Sequence, residues 1–309
     1  MLPGAAVVGW GTALPPLVVT NKDLEAYLDT SDEWITERTG IKERRIGGSV
    51  TELATQAGKI AIANSGISPS DIDLLILATT TPDESVPATS ALVHSALGLS
   101  GAAFDINAAC SGFVYGLTVA RGAIATGCSR VLLIGADVLS RITDKTDRST
   151  AVLFADGAGA VILERREDGD NFLGWDIGID GSLHDLLYAE LGGYIKMQGR
   201  DVFRKAVQAM VNSARSALEK ASLTPDYVSL LVPHQANLRI IEAAAARLGI
   251  PMERVAVSID HNGNTSSASI PLALVDAIDA GRIADGDIIL LSGFGAGMTW
   301  ASAVIRWGR

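Results

Sequence analysis

The sequence is poor in the residues that build metal sites and disulfide frameworks. Its 309 residues include two cysteines, Cys110 and Cys128, and four histidines. Two cysteines are too few for a disulfide framework, and no group of His, Cys and Asp has the spacing of a metal site. We therefore expect no metal and a reducing, cytoplasmic compartment, where a cysteine can serve as a nucleophile.

Basic charge and long apolar runs are also scarce. The chain has 25 Lys and Arg against 35 Asp and Glu, a formal net charge of −10. This balance argues against non-specific binding of nucleic acid or of an anionic membrane. No uninterrupted apolar stretch is long enough to span a bilayer, so we expect no membrane insertion. The apolar N-terminus lacks a basic segment and contains Pro and Gly, which favours a strand and turn over a signal peptide.

Short apolar runs instead alternate with alanine-rich amphipathic stretches. The runs at 73–80, 130–137, 227–234 and 287–294 have the composition of buried strands. Helices are expected at 53–65, 89–98, 112–126, 203–221, 237–248 and 270–281. Strands alternating with helices predict an α/β fold.

A weak internal repeat indicates duplication. "ISPSDIDLLI" (67–76) resembles "LTPDYVSLLV" (223–232) at an offset of 156, and later apolar runs repeat at nearly the same offset. We therefore predict two similar α/β halves, residues 1–165 and 175–309, with a site between them to which both contribute.

Cys110 lies in "AFDINAACSGFVYGL" (102–116), between a strand-like run and a helix-like run. A turn into a helix would place its sulfur near the positive end of the helix dipole, which favours the thiolate. A free cysteine is also a common small buried hydrophobe, so the local sequence leaves both roles open. Cys128, at a predicted helix–strand junction, is expected to be structural.

Two polar segments of the second half are candidate partners of a nucleophile. His234 ends an apolar strand, at the edge of a sheet where α/β proteins bind ligands. The segment "HNGNTSSAS" (261–269) is either a helix-capping turn or a polar loop of the site. His94 and His184 are expected to be surface or packing residues.

Three motifs follow one another along the chain: "ACSGFVYGL", "VPHQANLRII" and "GNTSSASIPLAL". Together they closely resemble the β-ketoacyl-[acyl carrier protein] synthase III family, and the resemblance runs from about Val7 to Arg306. It implies a thiolase-like α/β fold, with two duplicated halves in a layered α-β-α-β-α architecture. It also implies a cytoplasmic homodimer.

The resemblance implies a catalytic triad of Cys110, His234 and Asn264, with an oxyanion hole formed by the backbone N–H groups of Cys110 and Ala296. The implied reaction is the decarboxylative condensation of an acyl-CoA primer with malonyl-[acyl carrier protein]. It yields 3-oxoacyl-[acyl carrier protein], CoA and CO2 and initiates type II fatty acid synthesis. No metal or redox cofactor is required, because the CoA thioester is itself a substrate.

The resemblance also implies the residues that bind the substrates. The adenine of CoA is expected between Trp34 and Arg148. The other positions that match the CoA tunnel are Arg38, Gly199, Phe203, Ala236 and Asn237. Acyl carrier protein is acidic, and the positions that match a basic docking patch are Arg204, Arg239 and Arg247.

Val86 departs from the acetyl-specific pattern of the family. Many members carry phenylalanine here, at the end of the acyl pocket and supplied across the dimer. The smaller side chain of Val86 indicates room for primers longer or more branched than acetyl.

Three other functions are compatible with parts of the sequence. The first is a condensing enzyme or acyltransferase of the same type that is dedicated to a pathway of secondary metabolism. The second is a cysteine thioester hydrolase that uses Cys110 and His234, although the Trp and Arg residues of the tunnel fit a CoA thioester better. The third is a non-catalytic dimerisation partner, which an intact triad disfavours.

Overall fold

The computed structural model describes residues 3–308 of the chain. The strands within these residues are β1 (Gly4–Ala13), β2 (Leu17–Thr20), β3 (Glu43–Ile46), β4 (Leu74–Ala78), β5 (Ala102–Ile106), β6 (Arg130–Val138), β7 (Asp156–Arg166), β8 (Phe172–Ile179), β9 (Leu187–Tyr188), β10 (Lys196–Met197), β11 (Leu230–Pro233), β12 (Ile288–Gly295) and β13 (Thr299–Arg306). The α-helices are α1 (Asn21–Glu25), α2 (Asp32–Thr39), α3 (Val50–Ser65), α4 (Thr89–Leu97), α5 (Gly112–Ala125), α6 (Arg148–Ala151), α7 (Gly199–Lys220), α8 (Leu238–Leu248), α9 (Ile259–Asn262) and α10 (Ser269–Asp279).

The first part of the chain forms a five-stranded sheet in the order β1-β7-β6-β4-β5. Strands β6, β4 and β5 are parallel, whereas β1 and β7 are antiparallel to their neighbours. Strands β4 and β6 are continuous Val, Ile and Leu runs that are buried along almost their whole length. Such runs suit a sheet that is covered by helices on both faces.

The second part of the chain forms a four-stranded sheet in the order β11-β12-β13-β8. Strands β11 and β12 are parallel, and β13 and β8 continue the sheet in antiparallel fashion. A parallel bridge between Leu231 and Val255 stands where a fifth strand would lie. The order and directions of the first sheet therefore recur in the second, which supports a duplication. The chain crosses from β7 to β8 at 167–171, and the exact division into halves remains a prediction.

The two sheets face each other across a central helical layer. The largest apolar cluster joins Leu133 of β6 and Leu291 of β12 through Phe113 and Leu117 of α5 and Leu274 of α10. Helices α3 and α4 cover the outer face of the first sheet, and α7 and α8 cover the outer face of the second. These five layers confirm the predicted α-β-α-β-α architecture.

The helices predicted from amphipathic periodicity are present, and two of them begin three or four residues earlier than expected. Helix α3 begins at Val50 because Ser49 and Glu52 form a reciprocal capping box. Helix α7 begins at Gly199, which brings the CoA-tunnel candidates Gly199 and Phe203 onto one helix. Within residues 3–308, no helix combines the length and apolarity needed to cross a membrane.

Candidate active site

Cys110 lies on a tight turn that joins β5 to α5. Ala109 has a φ of +48°, a left-handed conformation that side chains other than glycine seldom adopt. The end of β12 packs directly against this turn, since a Cβ added at Gly295 would lie 2.7 Å from the backbone nitrogen of Cys110. The cysteine is therefore held between the two sheets, as a site between two halves requires.

Burial controls the protonation of Cys110. It raises the pKa of the Cys110 thiol to about 12, and the negative charge of Asp137 acts in the same direction. A hydrogen bond with the Ser266 hydroxyl and one with the cysteine's own N–H lower the pKa by smaller amounts. The free enzyme therefore holds a thiol at neutral pH. Desolvation opposes the expected effect of the helix dipole, and the expectation that the turn favours a thiolate stays a prediction.

His234 is buried immediately after β11. Burial lowers the pKa of His234 to about 3, so the imidazole is neutral at physiological pH. Its Nδ1 lies 2.6 Å from the Ser269 hydroxyl, and the edge of the ring contacts Phe294 with 5.5 Å between ring centroids. Because Nδ1 is engaged by Ser269, Nε2 is the nitrogen left for the site.

Asn264 is fixed at both its backbone and its side chain. Its backbone pairs with Leu153 and Ala155, through N–H···O distances of 2.9 Å at each end. Its Oδ1 accepts from the Ser266 N–H at 3.0 Å. A backbone N–H can only donate, so this contact assigns Oδ1 to the turn and leaves the Nδ2 amide as a donor toward the site.

A first cavity of about 310 Å³ brings Cys110, His234 and Asn264 together. It extends from these residues to the surface between α2, α7 and α8. Six of the predicted CoA-binding residues line it, namely Trp34, Arg38, Gly199, Phe203, Ala236 and Asn237. The sequence motifs thus converge on one cavity, although they lie in separate parts of the chain.

Arg148 is the predicted CoA-binding residue that does not line the first cavity. Its guanidinium lies over the Trp34 ring at 4.8 Å, and Arg38 also lies 4.8 Å from the same ring centroid. An aromatic base stacked between Trp34 and Arg148 needs about 7 Å, two van der Waals separations. The expected gap is therefore closed, and Arg148 must move outward before adenine can enter it.

A second cavity of about 490 Å³ opens on the other side of Cys110. Cys110 and Ala296 both line it, and Ala296 follows the last residue pair of the β12–β13 ladder. The remaining wall is largely apolar and includes Leu139, Ile142, Phe154, Ile179, Leu187 and Ile195. Phe154 and Leu187 border both cavities and lie between them.

The other candidate residues lie outside these cavities. Val86 is 85% exposed and lines neither of them in the single chain. Arg204 follows Phe203 on α7 and pairs with Asp201, whereas Arg239 donates to the Glu37 carbonyl beside the cavity entrance. Arg247 lies two turns further along α8. Cys128 is partly buried at the end of α5 and contacts the central apolar cluster, as expected of a structural cysteine.

Several residues of the site were not predicted. His184 lines the second cavity, although its exposed ring pairs with Asp185 at 2.8 Å. The apolar wall residues carry no signal that separates them from core residues. Ser266 and Ser269 lie inside the "HNGNTSSAS" segment, but their contacts depend on packing between distant segments.

Residues 3–308 contain no group of three or more His, Cys, Asp or Glu arranged to hold a metal ion.

Comparisons with known proteins agree with this geometry. A family model described as 3-oxoacyl-[acyl-carrier-protein (ACP)] synthase III matches residues 104–181, and the model of its C-terminal part matches residues 218–307. The β-ketoacyl-[acyl-carrier-protein] synthase III of Aquifex aeolicus is 50% identical over 98% of this chain and 100% of its own length. The chain belongs to the β-ketoacyl-[acyl carrier protein] synthase III family. The predicted family and enzyme class are thereby confirmed, and the protein is a condensing acyltransferase.

Solved structures of family members have the same fold. The crystal structure of the Aquifex aeolicus enzyme superimposes with a TM-score of 0.97 and covers 98% of this chain and 100% of that chain. The priming β-ketosynthase from the R1128 polyketide biosynthetic pathway has a TM-score of 0.94 at 35% identity, with 98% and 96% of the two chains covered. Since the synthase III from Geobacillus kaustophilus is 48% identical over 99% of this chain and 100% of its own length, a dedicated secondary-metabolic role is not favoured.

Proposed function

We propose that this enzyme condenses an acyl-CoA primer with malonyl-[acyl carrier protein] and so initiates type II fatty acid synthesis. The observation that carries the proposal is the convergence of Cys110, His234 and Asn264 on one cavity. This cavity opens past Trp34 and Arg38, a pair suited to the base and phosphates of CoA. The products are 3-oxoacyl-[acyl carrier protein], CoA and CO2, and the steps below need neither a metal nor a redox cofactor.

The first half-reaction loads the primer onto Cys110. The sulfur attacks the thioester carbon, the C–S bond to CoA breaks, and the thiol proton moves to the departing CoA sulfur. The high pKa of the resting thiol is compatible with this step, because the proton leaves as the new bond forms. The tetrahedral oxyanion takes hydrogen bonds from the backbone N–H groups of Cys110 and Ala296.

The second half-reaction uses two polar groups of the first cavity, His234 and Asn264. Malonyl thioester loses CO2, and the negative charge that develops on its thioester oxygen accepts hydrogen bonds from His234 Nε2–H and Asn264 Nδ2. The enolate carbon then attacks the acyl carbon on Cys110, the S–C bond breaks, and the sulfur takes up a proton. A neutral imidazole and an amide suit this role, because both donate without changing charge at neutral pH.

The two cavities divide the substrate between them. We assign the pantetheine of CoA and of carrier protein to the first cavity, and the acyl chain on Cys110 to the second. The apolar side chains of Leu139, Ile142 and Ile195, which line the second cavity and not the first, support this assignment.

We propose the partners of the enzyme from the charge and exposure of its surface. We assign the docking of acidic carrier protein to Arg204, Arg239 and Arg247, the first two of which flank the entrance of the first cavity. We further propose a homodimer that pairs through β5, an edge strand of its sheet on which Phe104 is 37% exposed. Val86 would then complete the second cavity of the partner subunit. Substrates of this kind place the enzyme in the cytoplasm.

Intact mass spectrometry with a panel of acyl-CoA thioesters tests the function. Each accepted primer should add its acyl mass to the wild-type enzyme and to Cys128→Ser, but not to Cys110→Ala. Adding malonyl-[acyl carrier protein] should then remove the acyl group and produce 3-oxoacyl-[acyl carrier protein] and CO2. Release of free acid in place of condensation product would establish a thioester hydrolase and reject the proposal.

A further inference from the structure

Asp137 is a fully buried carboxylate beside the active site, at the end of β6. Its Oδ1 accepts from Thr79 Oγ1 at 3.2 Å, from Thr80 N–H and Oγ1 at 2.7 and 2.8 Å, and from Thr81 Oγ1 at 3.0 Å. Its Oδ2 accepts from Ser267 N–H at 3.0 Å and from Ser267 Oγ at 2.6 Å. All of these partners are neutral donors, and none of them has a role in the chemistry described above.

The donors come from two separate parts of the chain. Thr79, Thr80 and Thr81 follow β4 of the first sheet, whereas Ser267 belongs to the turn between Asn264 and α10. The turn presses directly on β6, since a Cβ added at Gly135 would lie 2.3 Å from the Ser267 carbonyl oxygen. Asp137 and the Ala78 carbonyl of β4, which lies 2.8 Å from the same Ser267 hydroxyl, therefore anchor this turn to the first sheet, and Asp137 alone also binds the Ser267 N–H.

Ser266, the neighbour of Ser267, lies beside Asn264 and Cys110. Its N–H donates to Asn264 Oδ1, and the residue lines the second cavity together with Cys110. Its φ of +51° lies in the left-handed region. A serine keeps this conformation only when its surroundings hold it there, and the Asp137 contacts to the next residue supply such a hold.

We propose that Asp137 is a positioning residue for condensation, which holds Ser267 and Ser266 so that the Asn264 amide faces the first cavity beside Cys110. The proposal rests on the proposed function of that site. Because all the partners of Asp137 donate, an asparagine amide in its place would set an NH2 against either the threonines or Ser267. The Ser266–Ser267 turn would then shift, and the donor on Asn264 would leave its position.

Asp156 offers a matched control. It is also fully buried, begins β7 and pairs in register with Val138, the residue after Asp137. It accepts from Gly47 N–H at 2.7 Å and from Ser140 N–H and Oγ at 2.9 and 2.6 Å. Asp156→Asn therefore removes a buried carboxylate from the opposite face of the same sheet, without touching the Ser266–Ser267 turn.

The test separates the two half-reactions in Asp137→Asn, Asp156→Asn and the wild type. Loading is followed by intact mass with acyl-CoA, and condensation by a single turnover of the preformed acyl-enzyme with malonyl-[acyl carrier protein]. A displacement of about 1 Å in a positioned group can cost roughly 10²-fold in rate. We expect Asp137→Asn to slow condensation about 10²-fold more than loading, while Asp156→Asn keeps the wild-type ratio.

Alkylation of Cys110 by iodoacetamide gives a second readout. The pH at which alkylation accelerates should move lower in Asp137→Asn, because a nearby negative charge is lost, and should not move in Asp156→Asn. If Asp137→Asn does not fold, Ser267→Ala is measured in its place. We expect Ser267→Ala to slow condensation more than loading, by a smaller factor than is expected for Asp137→Asn. Equal effects on both half-reactions in the variant that folds would overturn the proposal. Failure of the wild type to load or condense would instead overturn the proposed function.

Discussion

The two cavities that meet at Cys110 differ in how their walls are built. The first holds two buried polar side chains, His234 and Asn264, each with a hydrogen-bond partner that sets its orientation, on a wall that is otherwise largely apolar. The wall of the second is also mainly apolar, with Leu139, Ile142 and Ile195 among its residues, and neither His234 nor Asn264 lines it. The comparison separates two tasks. Hydrogen-bonded geometry on one side serves a common chemistry, and apolar shape on the other side selects the primer.

The largest expected effect concerns the first cavity. Asn264→Ala removes a donor to the developing enolate, and the loss of one such donor typically costs 10²–10³-fold. We expect condensation from the acyl-enzyme to fall by about this factor, while loading of Cys110 stays within about twofold. Rapid-quench assays of each half-reaction measure both rates. An equal loss in loading would break the division of tasks.

The next largest expected effect concerns the second cavity. Val86→Phe adds bulk where a partner subunit is proposed to close the second cavity. We expect kcat/KM for branched or longer primers to fall about 10- to 100-fold relative to acetyl-CoA, the range for a misfit of one or two methylene groups. Competition between paired acyl-CoA thioesters, read by intact mass, gives the ratio directly. An unchanged ratio would show that Val86 does not border the acyl chain.

A smaller effect concerns the entrance of the first cavity. Trp34→Ala removes the ring that stacks with Arg38 and Arg148, and with it the proposed platform for adenine. We expect the KM for acyl-CoA to rise about tenfold, since stacking on an aromatic ring contributes 1–3 kcal/mol per base. Condensation of preformed acyl-enzyme should be unaffected. Trp175→Ala, on an exposed strand edge outside both cavities, is the control and should change neither constant.

The smallest effect concerns the support of the Asn264 loop. His261 lies 3.1 Å from Asp276 of α10 and 2.8 Å from Asp260, and these hydrogen bonds raise the pKa of His261 to about 9. A pKa raised above the unfolded value of 6.5 stabilises the fold fully below pH 6.5, and this stabilisation is lost as the pH rises through about 9.

His261→Gln should therefore lower the free energy of unfolding by about 1 kcal/mol at pH 6.5, after allowance for solvent screening of a half-exposed group. Near pH 10 the difference from the wild type should vanish. Urea denaturation at both pH values measures this. Ile195→Ala, in the wall of the second cavity, should instead destabilise the protein equally at both pH values. A pH-independent loss in His261→Gln would contradict the ion-pair account.

The sequence predicted the catalytic groups of the first cavity far better than it predicted the wall of the second cavity. Buried runs such as 130–137 were recognisable because a strand covered on both faces is continuously apolar. Cys110, His234 and Asn264 were recognisable because their motifs are specific. The wall of the second cavity was not, because Leu139 and Leu187 resemble any core leucine until the chain is folded.

Two further features could not be predicted for a related reason. The raised pKa of Cys110 depends on burial by distant segments, which the local turn does not reveal. The contact of Asp137 with Ser267 joins residues 130 positions apart. One signal was nevertheless available, because a carboxylate that ends the apolar run of β6 must find several donors if it is to be buried.

The most direct test of the division between the cavities is a crystal structure of the acyl-enzyme formed with an accepted primer. The account predicts an acyl group on the Cys110 sulfur, with its carbonyl oxygen at the N–H groups of Cys110 and Ala296. The chain should lie among Leu139, Ile142 and Ile195, and the first cavity should be open from Trp34 to Asn264. An acyl chain directed into the first cavity, toward Trp34, would contradict it.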